Sequence, residues 1–182
     1  MFGTLESIGV TCGGPAIGWL THLYLIDCKD VAFDVYPDTL LSAENALWLA
    51  VDRKKVVTEI KLRAKTATFS ESLQQSQNGE SYSSQITVPL PTHAKNIIAW
   101  VHRNARKRFV AIFRDTDGNC YLAGTKNNGM QLGWTRSIQN TLAQQMQLTS
   151  QHWHGVLWIS TVDPEKLFPF KEFDYSFDLS FS

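Results

Sequence analysis

The sequence predicts a mainly β domain with one flanking α-helix, and three observations carry that expectation. Residues 67–91 (ATFSESLQQSQNGESYSSQITVPLP) read as two long, mostly polar strands folded back at Gln77-Asn78-Gly79-Glu80. Asn-Gly supplies the positive φ angles that a tight hairpin turn needs. Asp117-Gly118-Asn119 separates FVAIFR from CYLAG and marks a second hairpin. One strongly helix-periodic segment, residues 92–108, stands among runs that alternate with period two.

Composition bounds the possibilities. The chain has 182 residues, enough for one domain with a real core, or one domain plus arms. Its hydrophobic fraction is 43% and its formal net charge is zero, which argues against a dedicated nucleic-acid binder. There is no run of about 18 apolar residues, so no membrane span is expected. The opening MFGTLESIGV lacks a basic stretch and a long apolar stretch, so no signal peptide is expected. Cys12, Cys28 and Cys120 are odd in number and scattered, which fits free thiols in a reducing cytoplasm.

In chain order, residues 1–19 read as an N-terminal loop or arm, glycine-rich over GVTCGGPAIG. A phosphate-cradling loop would carry Lys-Ser/Thr after its last glycine, whereas Trp19-Leu20 follow here. Residues 20–28 and 31–36 read as strands with a turn at Lys29-Asp30. Residues 42–51 read as a short helix capped by Ser42. Residues 56–62 read as a strand with Val56, Thr58, Ile60 and Leu62 on one face.

The long hairpin follows. Phe69, Ile86 and Val88 at its base can join a core, while its tip carries almost nothing apolar. A two-stranded ribbon alone is marginal in water, so a polar tip that projects from the domain implies an external partner. Gln74, Gln75, Gln77, Asn78, Gly79, Glu80 and Tyr82 are therefore candidate assembly residues. Next, Thr92 can cap a helix whose Ala94, Ile97, Ile98, Val101 and Ala105 form one apolar stripe. Lys95, Arg103, Arg106 and Lys107 are expected on a basic face of that helix.

After the second hairpin, Asn127-Asn128-Gly129 marks a turn, and residues 130–137 read as a strand with Met130, Leu132 and Trp134 on one side. The Gln-rich residues 138–146 read as loop or a short strand, and residues 154–162 as a strand that closes a domain spanning 20–162. In residues 163–182, Phe173, Tyr175, Phe177, Leu179 and Phe181 alternate with acidic or small residues. That is a period-two strand with one aromatic face, an arm that needs a surface on its own domain or on a neighbour.

No catalytic constellation emerges. His152-Trp153-His154 places two imidazoles on one strand face, but zinc needs three or four ligands. Gly-x-Ser-x-Gly is absent, and Asp115 and Asp117 flank a turn where aspartate is common for turn reasons alone. Residues 92–136 hold eight Lys/Arg against two Asp, whereas the chain after 137 is acidic. Three readings fit that asymmetry: a solvated helix face, a nucleic-acid element, or opposite-sign patches that register neighbouring subunits in a heterologous ring.

The order of elements over roughly residues 56–162 resembles phage tail-tube and ring proteins, the group that shares a fold with the type VI secretion tube. The match lies in a strand, a long polar hairpin ending VPLP, the helix THAKNIIAWVHRNARKR, the hairpin FVAIFRDTDGNCYLAG, then GMQLGWTRS and HWHGVLWIS. The resemblance implies a β-sandwich or β-barrel of the tail-tube type, with a projecting hairpin and a C-terminal strand arm. It implies a virion structural protein, made in the host cytoplasm, whose copies pair strand to strand in a ring around a DNA-conducting lumen. Its partners would be copies of itself, other tail, neck or portal proteins, and genome DNA passing without sequence specificity. It implies no catalysis and no cofactor. The alternative is a monomeric β-barrel binding a small ligand or nucleic acid.

Overall fold

The computed structural model describes residues 18–31, 57–63, 65–77, 79–90, 95–138 and 142–159. Among them nine antiparallel strands form one sheet, with a single α-helix. The strands are β1 (Leu20–Asp27), β2 (Val57–Lys61), β3 (Thr68–Ser76), β4 (Gly79–Leu90), β5 (Arg108–Asp115), β6 (Cys120–Ala123), β7 (Met130–Ile138), β8 (Leu142–His152) and β9 (Leu157–Ile159). The helix α1 (Lys95–Asn104) lies between β4 and β5 in the chain. The main strand order is β2-β1-β5-β7-β8-β4-β3, with β6 beside β5 and β9 beside β6.

The centre is β5. Its run Phe109, Val110, Ala111, Ile112 and Phe113 is buried without a break, as a continuous apolar run requires of a strand covered on both faces. β1 pairs along one side of it. The other side is shared: β7 takes Arg108 and Phe109, and β6 takes Ala111 to Arg114. A bulge at Thr21 adjusts the β1 register, and the Thr21 hydroxyl donates to the carbonyls of Arg114 (3.2 Å) and Asp115 (3.3 Å).

Phe109, Ala111 and Phe113 point into a core with Leu23, Leu25, Ile86, Met130, Met146 and Leu148. Val110 and Ile112 point the other way, into a second cluster with Tyr24, Ile26, Cys120, Leu122 and Leu157. The sheet curls around the first cluster. Phe69 on β3 meets Phe113 on β5 with ring centroids 4.7 Å apart, and Leu20 N donates to Ala67 O across 3.2 Å. α1 closes this core through Ile97, Trp100 and Val101, with Trp100 5.7 Å from Phe109.

The turns follow their sequence signals. Gly118 has φ +90° in the β5–β6 turn, where Asp115 Oδ1 accepts from the backbone N–H of Asp117 and of Asn119, each at 2.9 Å. A Cβ on Gly129 would overlap Cys28 Sγ, so the Asn127-Asn128-Gly129 turn packs closely on the start of the 3-10 turn Cys28–Asp30.

Three expectations need correction. The helix ends at Asn104, not at residue 108: Asn104 Nδ2 donates to Trp100 O, Lys107 N donates to Asn104 O, and Arg108 already begins β5. In the Gln-rich stretch 138–146, Ile138 ends β7, residues 139–141 lie outside the described residues, and Leu142 begins β8, a strand of 11 residues and not a short one. Of the strand expected over 154–162, residues 154–156 are irregular, Leu157–Ile159 form β9, and residues 160–162 lie outside the described residues. The strand over 31–36 beyond Val31, the helix over 42–51, the helix cap Thr92, and both terminal arms beyond Gly18 and Ile159 lie outside the described residues.

Phe113 is fully buried between the Phe69 ring and the Tyr121 ring (5.3 Å). Phe113→Ala is expected to cost about 3–5 kcal/mol in urea unfolding. A cost under about 1 kcal/mol would mean that the two halves of the sheet do not pack through this residue.

Candidate functional sites: the hairpin corner and the uncharged face

The β3–β4 hairpin pairs from Thr68 with Thr87 out to Ser76 with Gly79. The turn therefore closes one residue earlier than Gln77-Asn78-Gly79-Glu80 suggests; Gly79, at φ +120°, is the first residue of β4, and Asn78 lies outside the described residues. Gln74, Gln75, Gln77, Gly79 and Glu80 are exposed, and Tyr82 is half-buried. Gln75 Nε2 donates to Glu80 Oε1 (3.2 Å) across the ribbon. The hairpin projects less than expected. β8 flanks β4 from Tyr82 (opposite His152) to Leu90, so only the pairs Gln74 with Ser81, Gln75 with Glu80 and Ser76 with Gly79 extend past it.

Glu71 secures the corner behind this tip. Its Oε1 accepts from Ser84 Oγ (3.0 Å) and from Val156 N (2.7 Å), which ties the link between β8 and β9 to the hairpin. Two large apolar side chains remain exposed there, Leu73 at 47% and Trp153 at 64%. Sequence reasoning missed both. Leu73 is a single apolar residue in a polar tip, and Trp153 stands alone between two histidines, so neither belongs to a periodic pattern.

β7, β8, β4 and β3 alternate strictly. Met130, Met146, Leu148, Ile86, Val88 and Phe69 face the core. The opposite face is built in register from uncharged side chains. One row runs Gln131, Thr149, Gln85, Ser70, and the next runs Gly133, Gln147, Thr87, Thr68. On either side lie Thr135, Gln145 and Pro89, and Gln151, Ser83 and Ser72. None of these positions carries a charge, in a chain of which 19% is charged. A cleft of about 420 Å³ opens in this face where it meets β5. Its lining includes Ser83, Arg108, Asn128, Gln131, Thr149 and Gln151.

The expected basic helix face is divided. Lys95 and Arg103 are exposed on α1, and Arg103 Nε turns back to donate to Ala99 O (3.3 Å). Arg106 and Lys107 lie in the turn after the helix, and Lys107 Nζ pairs with Asp27 Oδ2 at 3.3 Å. This pair lies between the turn after α1 and the end of β1.

The His152 and His154 rings lie 4.6 Å apart. His152 Nε2 donates to Asn128 O (3.0 Å) and His154 Nδ1 to Gly155 O (2.7 Å). Among the described residues no three His, Cys, Asp or Glu side chains gather as metal ligands. Asp115 serves the turn: besides the two backbone donors, its Oδ2 accepts from Asn119 Nδ2 (2.9 Å) and Tyr121 OH (3.1 Å). Phe173, Tyr175, Phe177, Leu179 and Phe181 lie outside the described residues.

Comparison with protein-family models, curated proteins and solved structures gives no match to this chain. No described helix is long and apolar enough to cross a membrane.

Burial pushes the Asp115 carboxyl up, but hydrogen bonds from Asn119, Tyr121 and the Asp117 backbone outweigh it and hold the group below its usual 3.8. A depressed carboxylate adds stability that is present above its unfolded pKa and is lost as the pH falls through the folded value. Asp115→Ala is expected to cost about 1–3 kcal/mol at neutral pH. The gap from the unaltered protein should be full above about pH 5 and close below the ordinary carboxylate range. Urea titrations across that range check it; a gap independent of pH would remove the charged turn as the cause.

Proposed function

We propose that this chain is a virion structural protein whose copies form rings of a phage tail or neck around a DNA-conducting channel. The support is the four-stranded layer β7-β8-β4-β3, which has an open edge on each side. β3 has no partner beyond β4, and β7 pairs with β5 only through Met130 and Gln131, among the described residues. An antiparallel layer with an even number of strands presents β3 and β7 in opposite directions. The β3 of one copy can therefore continue antiparallel onto the β7 of the next, and repetition by rotation gives a heterologous contact that closes into a ring. Closure removes both edges, which otherwise invite aggregation. The fold on this reading is the tail-tube type of sandwich or barrel, and the uncharged face of the layer lines the channel. The hairpin tip with Leu73 and Trp153 reaches an adjacent ring or subunit, and the aromatic C-terminal arm docks on a neighbouring protein of the assembly. No residue is assigned a catalytic role.

Two variants test this by analytical ultracentrifugation and electron microscopy. Replacing residues 74–81 with a two-residue turn keeps every β4–β8 pair, so the domain should unfold cooperatively as before while ring or tube formation is lost. Ser70→Lys with Ser72→Lys adds charge to exposed β3 positions, which blunts an edge without touching the core; it should leave a folded monomer. Rings from the edge variant, or a unaltered chain of 20.6 kDa that stays monomeric at every concentration and beside preformed tails, would overturn the proposal in favour of a monomeric binding domain.

A further inference from the structure

We propose that the cleft between β5, β7, β8 and β4 is a phosphate-binding site. Among the residues that line it, Arg108 is the one cation. Arg108 lies opposite Gln131, Gln131 opposite Thr149, and Ser83 opposite Gln151, so the lining crosses four neighbouring strands in register. Asn128 forms a held wall: its Nδ2 donates to Gln151 O (2.7 Å), and its carbonyl accepts from His152 Nε2 (3.0 Å).

The chemistry of the lining selects the ligand. No carboxylate lines the cleft, and none of the described acidic groups pairs with Arg108. The guanidinium is left as a forked donor suited to an oxyanion. Gln131, Gln151, Ser83 and Thr149 add amide and hydroxyl donors from three further strands. A planar carboxylate would occupy the arginine fork alone. A tetrahedral phosphate presents acceptor oxygens in several directions and can use both sides of the cleft. The cleft, of about 420 Å³, is open, with Arg108, Gln131, Thr149 and Gln151 exposed, which suits a small hydrated anion. The lining has no aromatic ring on which a base or a neutral sugar would stack. The site would thus take a phosphate, free or as a phosphodiester, with a single charge contact.

The inference does not rest on ring formation, and the test uses the full chain at a concentration where sedimentation shows a single small species. Inorganic phosphate, a short DNA duplex and acetate are titrated separately into ¹⁵N-labelled protein. Saturable shifts are expected for Arg108, Gln131, Gln151 and Asn128 with phosphate. The same shifts with the duplex identify a phosphodiester site, and their absence with the duplex identifies a site for free phosphate. Duplex affinity should fall with salt by a slope near one, as about one phosphate contact predicts. Arg108→Ala and Gln131→Glu should each weaken binding at least about tenfold, while Arg103→Ala should leave it unchanged. Circular dichroism and unfolding of the two cleft variants confirm that they are folded, and Gln131→Glu guards against misfolding caused by Arg108→Ala. Acetate binding as tightly as phosphate, shifts centred on Arg103 and Arg106, a slope of three or more, or no saturable shift would each overturn the assignment.

Discussion

Residues 109–113 must be covered on both faces, and the rest of the sheet depends on how that is done. An apolar run with no polar alternate cannot lie at a wet surface, so β5 is placed mid-sheet. Its backbone groups must also be paired on both sides. β1 satisfies one side, but no single strand satisfies the other. β7 leaves after Phe109, and β6 takes over at Ala111. That handover lets the β7-β8-β4-β3 half turn away from the β1-β5-β6 half. The curl then folds Phe69 onto Phe113 and closes the first core.

The same face of the sheet changes character at the handover. Over β1, β5 and β6 it carries Ile26, Ile112 and Leu122, all buried. Over β7, β8, β4 and β3 it carries threonine, serine and glutamine in register. The first half requires a cover and the second tolerates water. Strict alternation in the second half also fixes its pairing, because a slip of one residue would send Ile86, Met146 and Leu148 outward. Arg108 sits at the boundary, which explains why the single cation of the cleft lies at the margin of an uncharged face.

Much of this was legible in the sequence, and the failures have physical causes. Asp-Gly and Asn-Asn-Gly signals located the β5–β6 and β6–β7 turns, because glycine and aspartate there meet local backbone demands. Alternation located β2, β4 and β7. β8 was hidden because Gln144 occupies a core-facing position and glutamines fill the outward row, so hydropathy shows no period until Met146. The helix end was hidden because Arg106, Lys107 and Arg108 all suit a helix C-terminus. The buried run from Phe109, a non-local demand, draws Arg108 into β5 instead. For the sites, the exposed tip was readable from its polarity. The uncharged face was not, since its rows join residues far apart in the chain.

Among the described residues, the two ends of the main strand order differ in how they protect their edges. β2 is five residues long and carries Glu59 and Lys61 among VTEIK, a short charged edge of the kind that discourages pairing. β3 is nine residues long, TFSESLQQS, with no lysine, no proline and one glutamate. That glutamate is held by hydrogen bonds from Ser84 and Val156 and is the single charge on the strand. β3 carries no bulge against β4 to twist it away. A monomer would gain from a charged or interrupted β3 and lose nothing in the core, since its outward row is serine, threonine and glutamine. An edge this long with a single charge is open to continuation into a second chain. Among the described residues β7 leaves the complementary edge unpaired beyond Gln131 in the same layer, whereas β2 belongs to the other half of the curl. On the ring proposal the contact therefore joins β3 to β7, and the uncharged rows pass from one subunit to the next without a charged seam.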